Sequence, residues 1–278
     1  MRRFLISSLN VLLFLSAGVN VLGQWSPGET YNLNEESYTK KVLWETDQAI
    51  YSPTGINESR GYHHIVASYN NNTYIVYIDN DWRPRIVKVG SEGSSEEYYL
   101  ESDDYHILEN DSHQFFAIGI DERGYIHVFG DMHNFPRYNS DHLPARFDKA
   151  KCMYWRSDNP EDISSFTWHG ENFGDCPWGT SFTYPQIFYD QNGRLYLSTR
   201  VRSETEKQYA AVNYNKYNSN TQQWELIGGT NEYNNMCLFY EDNGEGGGTY
   251  SKPCRSLCFD LNNRAHFVSS LYNSDREK

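Results

Sequence analysis

The chain has 278 residues, with 24 Lys and Arg against 37 Asp and Glu, so its formal charge is −13. That acidic balance argues against a general nucleic-acid binder, which needs a basic face. Aromatic residues make up 16% of the chain, 23 of them Tyr, and with the aliphatics they suffice for a core, which excludes wholesale disorder.

At the N-terminus, Arg2 and Arg3 precede an apolar run from Phe4 to Leu22. Val21 and Gly23 suit the small positions before a cleavage site. Residues 1–23 therefore read as a secretory signal peptide, and 24–278 as the mature domain. An uncleaved anchor is the alternative. No later segment has the roughly 18 apolar residues that a membrane helix needs, so the expectation is a secreted protein with no membrane partner. The sequons at Asn57, Asn71 and Asn110 agree with that compartment.

A weak repeat organises the rest. Asn70-Asn-Asn-Thr-Tyr-Ile-Val-Tyr77 fits loosely the frame of Asp121-Glu-Arg-Gly-Tyr-Ile-His-Val128. Asp190-Gln-Asn-Gly-Arg-Leu-Tyr-Leu197 and Asp260-Leu-Asn-Asn-Arg-Ala-His-Phe267 fit it closely. Each copy reads as an apolar strand, a four-residue polar turn and a second apolar strand, which is a hairpin. No long segment has a period of 3.6, so helix is expected to be scarce. Hairpins recurring every 50–70 residues suggest an all-β fold of propeller blades, about four in the length available. The chain stops soon after a hairpin with no closing element, so the propeller reads as incomplete at its C-terminus. A small β-sandwich is the alternative.

Pairing residues about each turn predicts which side chains share the open end of a hairpin. With a centre between Asn71 and Asn72, His63 and His64 fall at that end of the first copy. With a centre between Glu122 and Arg123, His113 meets His133. With a centre near Gln191 and Asn192, Tyr184 meets Arg200. Adjacent blades point the same way, so these residues converge on one mouth. Histidine takes a proton near neutral pH, tyrosine can give or take one, and arginine grips a carboxylate through paired hydrogen bonds. Together they suit removal of a proton beside a carboxylate, with the cation stabilising the enolate-like charge that develops. In a polyuronate, loss of the C5 proton and of the O4 substituent is β-elimination. The plainer reading of each residue alone is structural: a hydrogen-bonded histidine, a packed tyrosine, a surface ion pair.

At these residues the sequence resembles a known family. The segments His113–His133 and Tyr184–Arg200 resemble the propeller-type ulvan lyases and the wider group of BNR-repeat-containing proteins, over roughly residues 62–267. The resemblance implies a seven-bladed propeller, of which this chain has room for four to five blades. It implies cleavage of ulvan, a sulfated uronate-containing algal polysaccharide. His113 would be a base or uronate partner supported by His133, Tyr184 an acid or both acid and base, and Arg200 the neutraliser of the carboxylate. His63 and His64 would bind substrate. The chemistry requires no cofactor.

The resemblance also suggests a structural zinc. Cys258 and His266 lie symmetrically about a turn centred on Asn262, and Cys237 or Cys254 would complete the set. Five cysteines leave at least one unpaired within the chain; Cys152 with Cys176 could be a disulfide closing a loop. Two rival functions stand beside the lyase. A sialidase would need an Asp-box, Ser-x-Asp-x-Gly-x-Thr-Trp, which is absent. A non-catalytic carbohydrate-binding propeller would use the Trp and Tyr rings.

Overall fold

The computed structural model describes residues 64–79, 81, 83–101, 116–130, 152–173, 182–201, 211–227, 250–252, 257–267 and 270–272. The expected signal peptide, the sequons at Asn57 and Asn110, and Cys176 lie outside them.

Strands form where Val, Ile, Tyr and Phe are dense, because branched and aromatic side chains pack well on a pleated surface. The first sheet is a meander of β1 (Val66–Tyr69), β2 (Asn72–Ile78), β3 (Pro84–Val89) and β4 (Ser95–Tyr99). The second repeats that order with β5 (Phe116–Ile120), β6 (Ile126–Gly130), β7 (Met153–Ser157) and β8 (Phe166–Trp168). The third does so with β9 (Phe182–Tyr189), β10 (Leu195–Val201), β11 (Ala211–Asn218) and β12 (Gln223–Leu226). Beyond them β14 (Leu257–Phe259) pairs with β15 (Ala265–Phe267), and β13 (Tyr250–Lys252) pairs with β16 (Ser270–Tyr272). All of these pairings are antiparallel. Among the described residues there is no α-helix; one 3-10 turn, Gly170–Asn172, follows β8.

The first strands of successive sheets are neighbours: β1 lies beside β5, β5 beside β9, and β9 beside β14. The sheets therefore stand side by side as blades, each wedged against the next. Burial follows from that. β5 and β6 are buried along their whole length, because a neighbouring sheet covers each face. β4, outermost in its blade, is almost wholly exposed and carries Glu96 and Glu97, charges that discourage pairing at an open edge.

The repeat in the sequence is a repeat of one turn. Asp121 Oδ1 accepts the backbone amides of Arg123 and Tyr125, both at 2.9 Å. Asp190 does the same for Asn192 and Arg194 at 2.8 and 3.0 Å, and Asp260 for Asn262 and Arg264, both at 2.9 Å. The fourth position of each turn is left-handed: Gly124 at φ 88°, Gly193 at 76° and Asn263 at 61°. Glycine and asparagine tolerate that region, which is why the frame reads Asp-x-x-Gly or Asp-x-x-Asn.

Two details correct the expected hairpins. Each Asp turn spans five residues rather than four, as the pairs Ile120↔Ile126, Leu195↔Tyr189 and Phe259↔Ala265 show. The first copy lacks that turn. Tyr69 pairs with Asn72 across Asn70 and Asn71, whose φ values of 45° and 63° suit a two-residue type I′ hairpin. Its centre lies one residue earlier than expected. The Asp turn of this blade moves to the next connection, where Asp79 Oδ1 accepts the amides of Asp81 and Arg83, both at 3.0 Å.

Polar contacts tie the blades together at specific points. The Ile118 amide donates to the His64 carbonyl at 2.7 Å, and the Ile120 amide to the Tyr189 hydroxyl at 2.9 Å. Glu161, from the β7–β8 connection, accepts Asn70 and Asn72 at 2.7 and 3.1 Å and the Tyr74 hydroxyl at 3.3 Å. The second and third blades also meet through aromatic rings. Phe129 stacks on Tyr154 with centroids 4.6 Å apart, and the Trp224 ring meets Phe129 edge-on at 5.3 Å. Edge-to-face and offset pairs of this kind add to the stabilisation from buried area.

Candidate functional site

The third blade carries Tyr184 and the Arg200 pair of the expected site. β10 pairs with β9 in regular register up to Ser198↔Gln186, and the ladder resumes at Arg200↔Thr183. Two residues of β9, Tyr184 and Pro185, thus stand against Thr199 alone, which makes a β-bulge. Proline, lacking an N–H, is tolerated where the ladder is interrupted. Tyr184 takes φ 55°, a left-handed conformation that costs a tyrosine about 1 kcal/mol. Its side chain is 9% exposed. A bulge re-aims side chains, and this one turns the strand at the residue that the sequence pairs with Arg200.

The register thus brings Tyr184 beside the Arg200 pair, at the open end of the hairpin. Polar side chains that the sequence reading passed over surround the bulge along the strands. Thr183, Gln186, Ser198 and Thr199 are all buried, among the apolar side chains Ile187, Phe188, Leu195 and Leu197 of the same strands. The Ser198 and Thr199 hydroxyls have no hydrogen-bond partner among the described residues. The visible signal was the break of an apolar strand by Gln186 and by Ser198-Thr199.

His64 precedes β1, and its ring meets Phe188 of β9 edge-on, with centroids 5.7 Å apart. It thus lies against the strand that carries Tyr184, four residues from it towards the turn. His63, His113 and His133 lie outside the described residues. The last described pair of their hairpin is Phe116↔Gly130. Cys258 and His266 are direct cross-strand partners and both are exposed. His266 Nε2 lies 3.3 Å from Asp260 Oδ2. This pair supplies two donors suited to zinc, against the four of a structural site. Among the described residues no third ligand joins them, and Cys237 and Cys254 lie outside that set.

One histidine had been read only as part of the repeat. His127 is fully buried, with Nδ1 2.8 Å from the Tyr154 hydroxyl and Nε2 3.5 Å from Asp121 Oδ2. The Nδ1–Tyr154 contact is a hydrogen bond, whereas Nε2 and Asp121 Oδ2 face each other without one among the described residues. Burial holds His127 below the usual histidine range despite Asp121, so it is neutral at pH 7. Burial alone would raise Asp121, but His127 and the turn amides outweigh it and keep the carboxylate low. The same position six after the turn Asp is Tyr196 after Asp190 and the exposed His266, 3.3 Å from Asp260 Oδ2, after Asp260. His127 is thus a structural residue of the blade.

The sign of its pH effect is fixed. An unfolded histidine binds a proton below about pH 6.5, and the buried one resists it. Stability therefore falls as pH drops below that value, and Asp121 adds a further loss near the carboxylate range. The urea midpoint is expected to decline between pH 7.5 and 5, and His127→Gln to flatten that decline. An equal decline in the variant would assign the effect to other groups.

The blades, their sequential inner strands and the bulged third hairpin define an all-β propeller. The family model for BNR repeat-containing family members matches residues 72–249, and the chain belongs to that family. No curated protein matches its sequence. Among solved structures it is similar to the polysaccharide lyase Uly1, at 17% identity and a TM-score of 0.50. That match covers 74% of this chain and 45% of Uly1. An ulvan lyase determined with a bound saccharide matches at 18% identity and a TM-score of 0.46, over 74% of this chain and 48% of that one. A family 117 glycoside hydrolase from the marine bacterium Zobellia galactanivorans matches at 12% identity and a TM-score of 0.35, over 74% and 65%. The chain thus spans about half the length of the two lyases, and what it shares with them at this identity is the fold.

Proposed function

We propose that this chain acts on a uronate-containing, sulfated polysaccharide of the ulvan type and cleaves it by β-elimination. The observation that carries the reading is the bulge. A tyrosine is held in a left-handed conformation at the open end of the β9–β10 hairpin, beside the position of Arg200. Strain of this kind persists where the surrounding structure over-determines it, and such places cluster at functional sites.

In the proposed step Arg200 pairs with the uronate carboxylate, which acidifies the C5 hydrogen and stabilises the charge left when it departs. A base, His113 or Tyr184, takes that proton. The C5–H electron pair becomes the C4=C5 double bond, the C4–O4 bond breaks, and Tyr184 protonates the departing oxygen. His133 supports His113, and His63 and His64 hold the substrate. Atoms and electrons balance without water, metal or oxidant.

The test is ultraviolet absorbance while the purified chain is incubated with ulvan. Elimination makes an unsaturated uronate that absorbs there, whereas hydrolysis does not. A rise in absorbance is expected. Reducing ends appearing without that rise would replace the lyase by a hydrolase. Ulvan binding without cleavage, unchanged in His113→Ala, would leave a carbohydrate-binding propeller.

A further inference from the structure

Between the second and third blades lies a cleft of about 140 Å³, lined by Tyr154, Arg156 and His169 on one side and by Gln222, Gln223 and Trp224 on the other. It is separate from the Tyr184 bulge: β12, which forms one wall, is the outer strand of the blade whose inner strand is β9. The volume is well above the roughly 10–15 Å³ that admits one water.

The charge in this cleft is unusual for a chain of formal charge −13. Arg156 is partly buried, and among the described residues no carboxylate forms an ion pair with it. Its one hydrogen bond there is from Nη1 to the Tyr217 hydroxyl at 3.3 Å. Arg156 Nε and His169 Nε2 are buried with no partner among the described residues. The Arg156 Nε–H is a donor in every state, and a buried polar atom left unpaired calls for a bound species, because it costs free energy comparable to a lost hydrogen bond. The nearby carboxylate of Asp158 is engaged elsewhere, by the Thr167 hydroxyl at 2.6 Å and by the Ser165 hydroxyl. Burial and Arg156 hold His169 below the usual histidine range, so a second positive charge is disfavoured until an anion arrives. The rim supplies neutral amides from Gln222 and Gln223, and the indole of Trp224 walls the inner side.

We propose that this cleft is an oxyanion-binding site that takes a carboxylate or sulfate group through Arg156, with His169 and the Gln222–Gln223 amides completing its shell. A bidentate guanidinium–oxyanion pair is the strong element, and the aromatic walls present no competing charge to it. The site does not depend on the catalytic reading, since neither Tyr184 nor Arg200 contributes to it.

The experiment is an NMR titration of the full labelled chain with sodium sulfate, glucuronate and glucose at constant ionic strength, following the His169 ring and the Gln222 and Gln223 side-chain amides. Saturable shifts with a dissociation constant on the order of millimolar are expected for sulfate and glucuronate but not for glucose. Arg156→Met should weaken both by about tenfold or more, and Arg156→Lys by less. Glucuronate binding tighter than sulfate would place a sugar ring in the cleft; equal binding would mean that the oxyanion alone is read. Absence of saturable shifts in the intact chain overturns the proposal, as do equal shifts with glucose or in a folded Arg156→Met. Should Arg156→Met fail to fold, the intact-chain titration decides by itself. Polymer cleavage is not the readout, so failure here and failure of the lyase reading are separate results.

Discussion

Tyr184→Phe is expected to lower the rate of ulvan cleavage by about 10²–10⁴-fold, the span typical for loss of a positioned acid–base group. The variant keeps the ring, and the ring is what fills the space: the side chain is 9% exposed, and the residue is fixed by the bulge on one side and the Thr183↔Arg200 pair on the other. Loss of one buried hydroxyl costs about 1 kcal/mol, which lowers the Tm of a domain this size by about 2–4 °C. Activity and stability thus separate. The measurement is initial rate by ultraviolet absorbance beside a melting curve on the same preparation. Wild-type cleavage with a variant retaining more than about a tenth of the rate would remove Tyr184 from the acid–base role. A second variant, Tyr184→Gly, relieves the left-handed strain but deletes the ring, so it should be as inactive and less stable.

Gly170→Ala should cause the larger loss of stability. A Cβ built at this position lies 1.9 Å from the carbonyl oxygen of Cys152 and 2.6 Å from two ring carbons of Trp168. The carbonyl is backbone and does not move aside cheaply. The same two residues share a ladder bond, from the Cys152 amide to the Gly170 carbonyl at 3.2 Å, so the methyl group would prise open the contact that seats the 3-10 turn against β7. Overpacking of this kind costs about 3 kcal/mol, a fall of about 6–12 °C in Tm. Gly193→Ala is the control. Nothing lies within 4 Å of its Cβ position, and the only cost is the left-handed φ of 76°, about 1 kcal/mol. The two losses, read from urea unfolding, should differ by a factor of about three. Equal losses would mean that β7 gives way and the approach is not close in solution.

These two positions differ in how far the sequence announced them. Tyr184 and Arg200 were placed together from hairpin arithmetic, and the register puts the Arg200 pair one residue from Tyr184. The arithmetic could not show the bulge, since an extra residue in one strand leaves the count of polar and apolar positions nearly unchanged. Gly170 carried no signal, because what it avoids is a carbonyl 18 residues away in the chain. His127 was visible only as a member of the repeat, and its burial depends on Trp224 and Tyr217 from the next blade.

What the sequence determined by itself is local. An aspartate oxygen accepting amides two and four residues on, with glycine or asparagine in the left-handed place, needs only a few consecutive residues. That turn recurs wherever the pattern does. The strands it joins, their pairing and hence the all-β class follow from it. Only the tertiary structure decided which faces are covered. The Glu161 contacts join residues 87 to 91 positions apart, and the Arg156–Tyr217 bond beside the cleft joins residues 61 apart; the aromatic seam at Trp224 likewise brings together rings distant in the chain. Such contacts depend on how one blade wedges against the next, a matter of shape that no short pattern of polar and apolar residues encodes.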